Sequence, residues 1–168
     1  MDTRFELINR SSTYHDLLHD IETILSNEDL FYGHGTDNAM DESVAIIMHL
    51  LQSHDPLKED QLNASIQVDF RNKAKEILYQ RIVELKPLPY ITNEAYFCGK
   101  RFYVDERVLI PRSPIAELIN NRFEPWIKAS SLNRILEIGT GSGCIALSIA
   151  SIFSDTEVVA TDVSSDAL

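Results

Sequence analysis

ILEIGTGSGCIALSIASIFSDTEVVATDVSSDAL, residues 135–168, is the stretch that decides the fold. An apolar run at 134–138 enters a turn holding Gly139, Gly141 and Gly143. A helical pattern covers 143–153, and a second apolar run at 157–161 ends on Asp162. Strand, glycine turn, helix and strand form the opening β-α-β of a doubly wound α/β sheet. A crossover of this kind makes the two strands parallel.

The spacing of the glycines restricts what the turn can hold. A dinucleotide fingerprint G-x-G-x-x-G starting at Gly139 requires glycine where Cys144 stands, and the third glycine comes one place early. Glu137 sits two residues before Gly139, at the carboxyl end of the strand. A carboxylate there opposes a pyrophosphate and suits a cofactor that carries a cation. S-adenosylmethionine carries two, an ammonium and a sulfonium, and its own carboxylate can use free N–H groups of the turn or helix start. Asp162 lies 19 residues past Gly143, where an acid accepts hydrogen bonds from both ribose hydroxyls. Glycines alone also close ordinary strand–helix turns. The combination of Glu137, three glycines and Asp162 points to the methyl donor.

Working outward, the preceding segments change character. Leu17, Leu18, Ile21, Ile24 and Leu25 form a helical stripe over 14–26, after a Ser11-Ser12-Thr13 cluster able to cap it. A second stripe is Val44, Ile47, Met48 and Leu51, entered through Asp41 and Glu42. A third is Phe70, Ala74, Ile77, Leu78 and Leu85, with Asp69 as its cap. Residues 1–86 therefore read as a small helical bundle. Pro87 and Pro89 break the periodicity and mark a boundary. Residues 94–104 read as a β-hairpin around Gly99-Lys100 within a linker, 87–112. Ser113-Pro114 then caps a helix through Ile115, Leu118, Ile119 and Phe123, opening a third region, 113–168.

Composition excludes several classes. The chain has 168 residues, 44% of them hydrophobic, with no apolar stretch long enough to span a membrane and no signal-peptide core near Met1. Two cysteines without a C-x-x-C pair suit a reducing, cytoplasmic setting. Net charge is −11, and residues 1–85 hold 16 acids against 7 Lys and Arg. Such a front half repels nucleic-acid phosphate and attracts a basic protein, although a solubilising surface would look the same.

Three stretches carry a resemblance: FYGHGTDNAMDE at 31–42, LPYITNEAYFCGKRFYVDERVLIPRSPIAELINN at 88–121 and GTGSGCIALSIA at 139–150. The chain resembles the ribosomal-protein glutamine methyltransferases, and most closely the branch that modifies the third protein of the large ribosomal subunit. The sister branch, which acts on release factors, has a Pro-Glu-Thr-Glu run where Ser113-Pro114-Ile115-Ala116 stands here. The resemblance implies a helical substrate domain, a hairpin linker and the start of a Rossmann-like methyltransferase domain. It implies that Gly139, Thr140, Gly141, Ser142, Gly143 and Asp162 bind S-adenosylmethionine, that Glu137 supports the turn, and that a large-subunit ribosomal protein is the substrate. The family's Asn-Pro-Pro-Tyr motif, which holds the substrate amide, occurs nowhere in the 168 residues, so no catalytic residue is assigned. The expectation is an N-terminal-half fragment that transfers no methyl group, and that self-associates or is poorly ordered over 134–168.

Two rival readings are a nucleic-acid amino-methyltransferase, which the acidic front half opposes, and a non-catalytic module that docks a basic protein. His15 and His19 have zinc-ligand spacing but are flanked by acids with no third ligand, and read as a solvated helix face. His34 reads as loop packing, and Cys144 as a small buried residue in a helix's first turn. Arg112 either faces the cofactor or pairs with Glu117.

Overall fold

The computed structural model describes residues 3–128 and 132–168. The chain is a mixed α/β protein that divides into two compact units, Met1–Thr92 and Asn93–Leu168.

The first unit is helical. Two 3-10 turns, Thr3–Phe5 and Leu7–Asn9, precede α1 (Tyr14–Ser26), α2 (Ala39–Leu51), α3 (Glu59–Leu62), α4 (Val68–Ile82) and α5 (Leu88–Thr92). Helix α1 starts where its capping chemistry is complete. The Thr13 hydroxyl accepts the Asp16 N–H, and the Asp16 carboxylate accepts the N–H groups of Ser12 and Thr13. Those backbone donors hold the Asp16 carboxyl below its ordinary pKa. Its buried stripe, Leu17, Ile21, Ile24 and Leu25, meets Ile46 and Ile47 of α2 and Ala74, Ile77 and Leu78 of α4 in one core.

Four details differ from the sequence reading. The buried face of α2 is Ala39, Glu42, Ser43, Ile46, Ile47 and Leu50, a stripe rotated from the expected Val44, Met48 and Leu51. The inward face includes a charged side chain: Glu42, an entry acid by its position, is 2% exposed and paired with Arg81. Leu85 lies beyond α4 at positive φ, 66% exposed, because the helix ends at Ile82. Asp69 is not the cap of α4. Gln67 holds that position, and Asp69 instead pairs with Lys73 one turn on, at 2.8 Å. Pro87 and Pro89 stand beyond the end of α4 at Ile82, where the periodicity breaks, but a short further helix follows: Pro89 lies in the first turn of α5, where its missing N–H has no partner to lose.

In the second unit β1 (Glu94–Phe97) pairs antiparallel with β2 (Lys100–Tyr103). Cys98 and Gly99 form a two-residue turn with both φ angles positive, as a tight hairpin requires. Phe97 and Phe102 from this hairpin pack with Ile119 of α6 (Ile115–Asn120) and with Cys144, Ile149 and Phe153 in and just after α7 (Cys144–Ile152). The hairpin is thus part of the second core. The start of α6 is shifted by one position. Pro114 precedes the first helical residue, and the Ser113 hydroxyl accepts the Ile115 N–H at 3.2 Å.

Strands β3 (Arg134–Ile138) and β4 (Glu157–Thr161) pair in parallel, with Leu136 opposite Val159 and Ile138 opposite Thr161. Their alternation sends Ile135 and Val158 into the α7 core. The opposite face of β3 is open to solvent, with Leu136 60% and Ile138 81% exposed.

Candidate functional site

The glycine turn is laid across the end of β4. The N–H groups of Gly139 and Thr140 both donate to the Thr161 carbonyl, at 2.8 and 3.0 Å, and Gly143 N–H donates to the Thr140 carbonyl at 2.9 Å. Gly139, Gly141 and Gly143 have φ of +78°, +54° and +74°. A side chain at Gly139 would meet nothing within 4 Å. Glycine is required there by backbone conformation, and the surface above it is left open.

Glu137 braces this turn from below. One of its carboxylate oxygens, Oε2, accepts the Thr140 hydroxyl at 2.7 Å and the Ala146 N–H at 2.9 Å. The second contact places a negative charge on an N–H of the first turn of α7, which has no acceptor within its own helix. The position of this carboxylate suits a cofactor cation, and the family resemblance implies that it supports the turn. The structure directs Oε2 into the turn itself, so Glu137 acts first on the shape of the cradle. Thr140 is buried, with its hydroxyl turned toward Glu137.

Asp162 closes the site from the other strand. Its Oδ2 accepts the Gly141 N–H at 2.8 Å and its Oδ1 accepts the Ser164 N–H at 2.9 Å. The Ser164 and then the Gly141 N–H hold its carboxyl below the ordinary range. Each carboxylate oxygen has two acceptor sites, so both keep capacity for a further donor. Gly139, Thr140, Gly141, Gly143, Glu137 and Asp162 are thereby joined by hydrogen bonds into one cradle, with Ser142 carried between the second and third glycines.

The other candidates lie elsewhere. Cys144 is buried within the second core, and that burial pushes its thiol pKa up. His15 and His19 lie on the exposed face of α1, His19 beside Glu22 at 3.6 Å, and no cluster able to hold a metal occurs among the described residues. His34 meets the Phe31 ring edge-on. Arg112 is exposed and pairs with neither Glu117 nor any other acid among the described residues.

One feature of the helical unit escaped the sequence reading. The Arg81 Nε donates to Glu42 Oε1 at 2.5 Å, its Nη2 donates to the Phe31 carbonyl at 2.9 Å, and the Thr36 hydroxyl donates to Glu42 Oε2 at 3.3 Å. Phe31 and Thr36, within the loop between α1 and α2, are so tied to a buried ion pair. The available signals were an acid on the Ala39–Ile46 face of α2 and an arginine between Leu78 and Ile82.

The elements and the turn describe a mixed α/β protein built on a parallel strand–glycine turn–helix–strand unit. No family model matches the chain. Two curated relatives, both called ribosomal protein uL3 glutamine methyltransferase, do match. The protein of Francisella tularensis subsp. tularensis is 34% identical over 164 residues, 97% of this chain and 52% of its own. That of Bordetella pertussis is 39% identical over 157 residues, 93% of this chain and 53% of its own. The chain is therefore homologous over nearly all its residues to the ribosomal-protein glutamine methyltransferases, and it spans about half the length of these relatives.

Proposed function

We propose that the chain is part of an S-adenosylmethionine-dependent, Rossmann-like enzyme that methylates a glutamine side-chain amide in a large-subunit ribosomal protein. The observation that carries this reading is the link between Asp162 and Gly141, which puts an acid with spare acceptor sites beside an open glycine turn. The residues fit the methyl donor. Asp162 can take the ribose hydroxyls, the Gly139–Gly143 backbone can approach the amino-acid end of the cofactor closely, and Glu137 keeps that backbone in place. When bound, S-adenosylmethionine supplies an electrophilic methyl group on a sulfonium. The helical unit, with its excess of acids, suits a basic ribosomal protein and opposes nucleic acid. No helix among the described residues is long and apolar enough to cross a membrane, and both cysteines are free. A cytoplasmic site of action accords with both.

Two measurements test this. Titration with S-adenosylmethionine should move the amide resonances of Gly139, Gly141 and Gly143 before any in the helical unit. Mass spectrometry of large-subunit proteins from cells lacking the gene should show one glutamine without its methyl group. Glycine amides that stay still under saturating cofactor, or an unchanged set of ribosomal proteins, would overturn the reading.

A further inference from the structure

Residues 104–110 form a strap that runs from the β1–β2 hairpin to the glycine turn. Its two ends are buried, Val104 completely and Ile110 nearly so. Val104 N–H donates to the Asn93 carbonyl at 3.3 Å, and the Val104 carbonyl accepts the Asn93 side-chain amide at 3.1 Å. Asp105 shapes the bend between them. Its carboxylate accepts the Arg107 N–H at 3.0 Å, the Arg107 Nε at 2.9 Å and the Tyr103 hydroxyl at 3.2 Å, and its carbonyl accepts the Val108 N–H at 3.1 Å. The bend delivers two consecutive side chains to the site. Val108 lies against the middle glycine, its Cβ 4.0 Å from the place of a Cβ at Gly141. The exposed Arg107 guanidinium is held charged by Asp105 first and, more weakly, by Asp166. Asp166 belongs to a turn in which the Ala167 N–H donates to the Ser164 carbonyl at 3.2 Å. The strap therefore reaches both backbone groups that orient the Asp162 carboxylate, Gly141 through Val108 and Ser164 through Asp166.

We infer that Arg107 is a positioning residue of the cofactor site, acting through the turn that follows Asp162 and not on the cofactor itself. A guanidinium has five N–H donors in a fixed fork. Asp105 occupies the Nε and Nη2 side, which fixes the plane of the group and leaves donors for a second acid. The attraction to Asp166 then restrains the 164–167 turn, and with it the Ser164 N–H that Asp162 Oδ1 accepts. A carboxylate whose orientation is fixed before the ligand arrives binds a diol without the cost of ordering itself. This role rests on the proposed methyltransferase function, because it matters only where a ligand meets Asp162.

The test combines calorimetric titration of the full chain with S-adenosylmethionine and the amide spectrum of the cofactor-free protein. Arg107→Gln should weaken the cofactor about threefold, the scale of an exposed ion pair, and should shift the Ser164 and Gly141 amide resonances before any cofactor is added. Asp166→Asn should give the same loss of affinity. The double variant should lose no more than either single change, because both remove one contact. Arg101→Gln breaks a similarly exposed pair, with Glu94 on the hairpin, and should leave affinity unchanged. Urea midpoints of all four variants should stay near wild type, which separates positioning from loss of fold. Additive losses at positions 107 and 166, unmoved Ser164 and Gly141 amides, or an equal loss at Arg101 would each overturn the proposal. Wild-type protein that takes up no cofactor would overturn the methyltransferase reading and this role together, whereas normal binding by Arg107→Gln would remove the role alone.

Discussion

Asp162, at the end of β4, holds the N–H of Gly141, 21 positions earlier, in a 2.8 Å hydrogen bond. The acid that the sequence places beside a ribose is therefore also a clamp on the middle glycine of the turn. On the proposed function, one carboxylate would couple cofactor affinity to turn geometry. Asp162→Ala should weaken S-adenosylmethionine by about tenfold to a hundredfold, the effect of losing charge-assisted hydrogen bonds. Asp162→Asn, which keeps one acceptor oxygen, should lose less. Isothermal titration calorimetry measures both, and an alanine variant that binds as wild type would remove Asp162 from the site.

The same bond sets an acid limit. The folded-state pKa of Asp162 is lowered by the Ser164 and Gly141 donors. Its contribution is then fully present above the ordinary carboxylate value, about 3.9, and is lost as pH falls through the lowered folded value. In an NMR titration the Asp162 carboxyl carbon and the Gly141 amide should report one shared midpoint below that ordinary value. Separate midpoints, or one above it, would mean that the clamp does not exist in solution.

Glu137 should behave as a brace. Glu137→Ala leaves the Ala146 N–H and the buried Thr140 hydroxyl without their acceptor, a loss of about 1–3 kcal/mol in unfolding stability. Glu137→Gln retains an acceptor oxygen and should recover part of it. Urea denaturation gives the values. Equal losses in the two variants would show that charge at the start of α7, and not the acceptor geometry, is what Glu137 supplies.

The buried Glu42–Arg81 pair makes a sharper prediction. Removing one partner strands a charge in the core, so Arg81→Met should destabilise by about 3–5 kcal/mol. Glu42→Leu combined with Arg81→Met should be far less harmful than the sum of the single changes. Even so, the double variant loses the Phe31 carbonyl's donor, and amide hydrogen exchange should quicken through residues 31–37 in it. Protection there equal to wild type would show that the loop needs no such tether.

Much of this architecture is written locally. Helix α1 was legible to the residue, because Thr13, Asp16 and the Leu17–Ile21–Leu25 stripe act within a few turns of one another. The β3–α7–β4 unit was legible for the same reason: apolar period, glycine turn and helix follow in direct succession. The spacing of the turn and Asp162 is itself a local signal, and the fold joins Asp162 to Gly141 by a hydrogen bond.

What only the tertiary structure decided is which group each polar side chain answers. Glu42 has the same sequence appearance as any acid in the first turn of a helix, yet its partner stands 39 residues away on α4. Glu42 shares the buried face of α2 with Ile46, Ile47 and Leu50, a stripe rotated from the one that the sequence pattern favours. Glu137 and Asp162 were assigned to a ligand from their positions, and the fold gives each a backbone N–H to hold as well. Hydrophobic periodicity is a property of neighbouring residues and can be read along the chain. A hydrogen bond between distant residues exists only after folding has closed the intervening loop and excluded the water that would otherwise satisfy both groups.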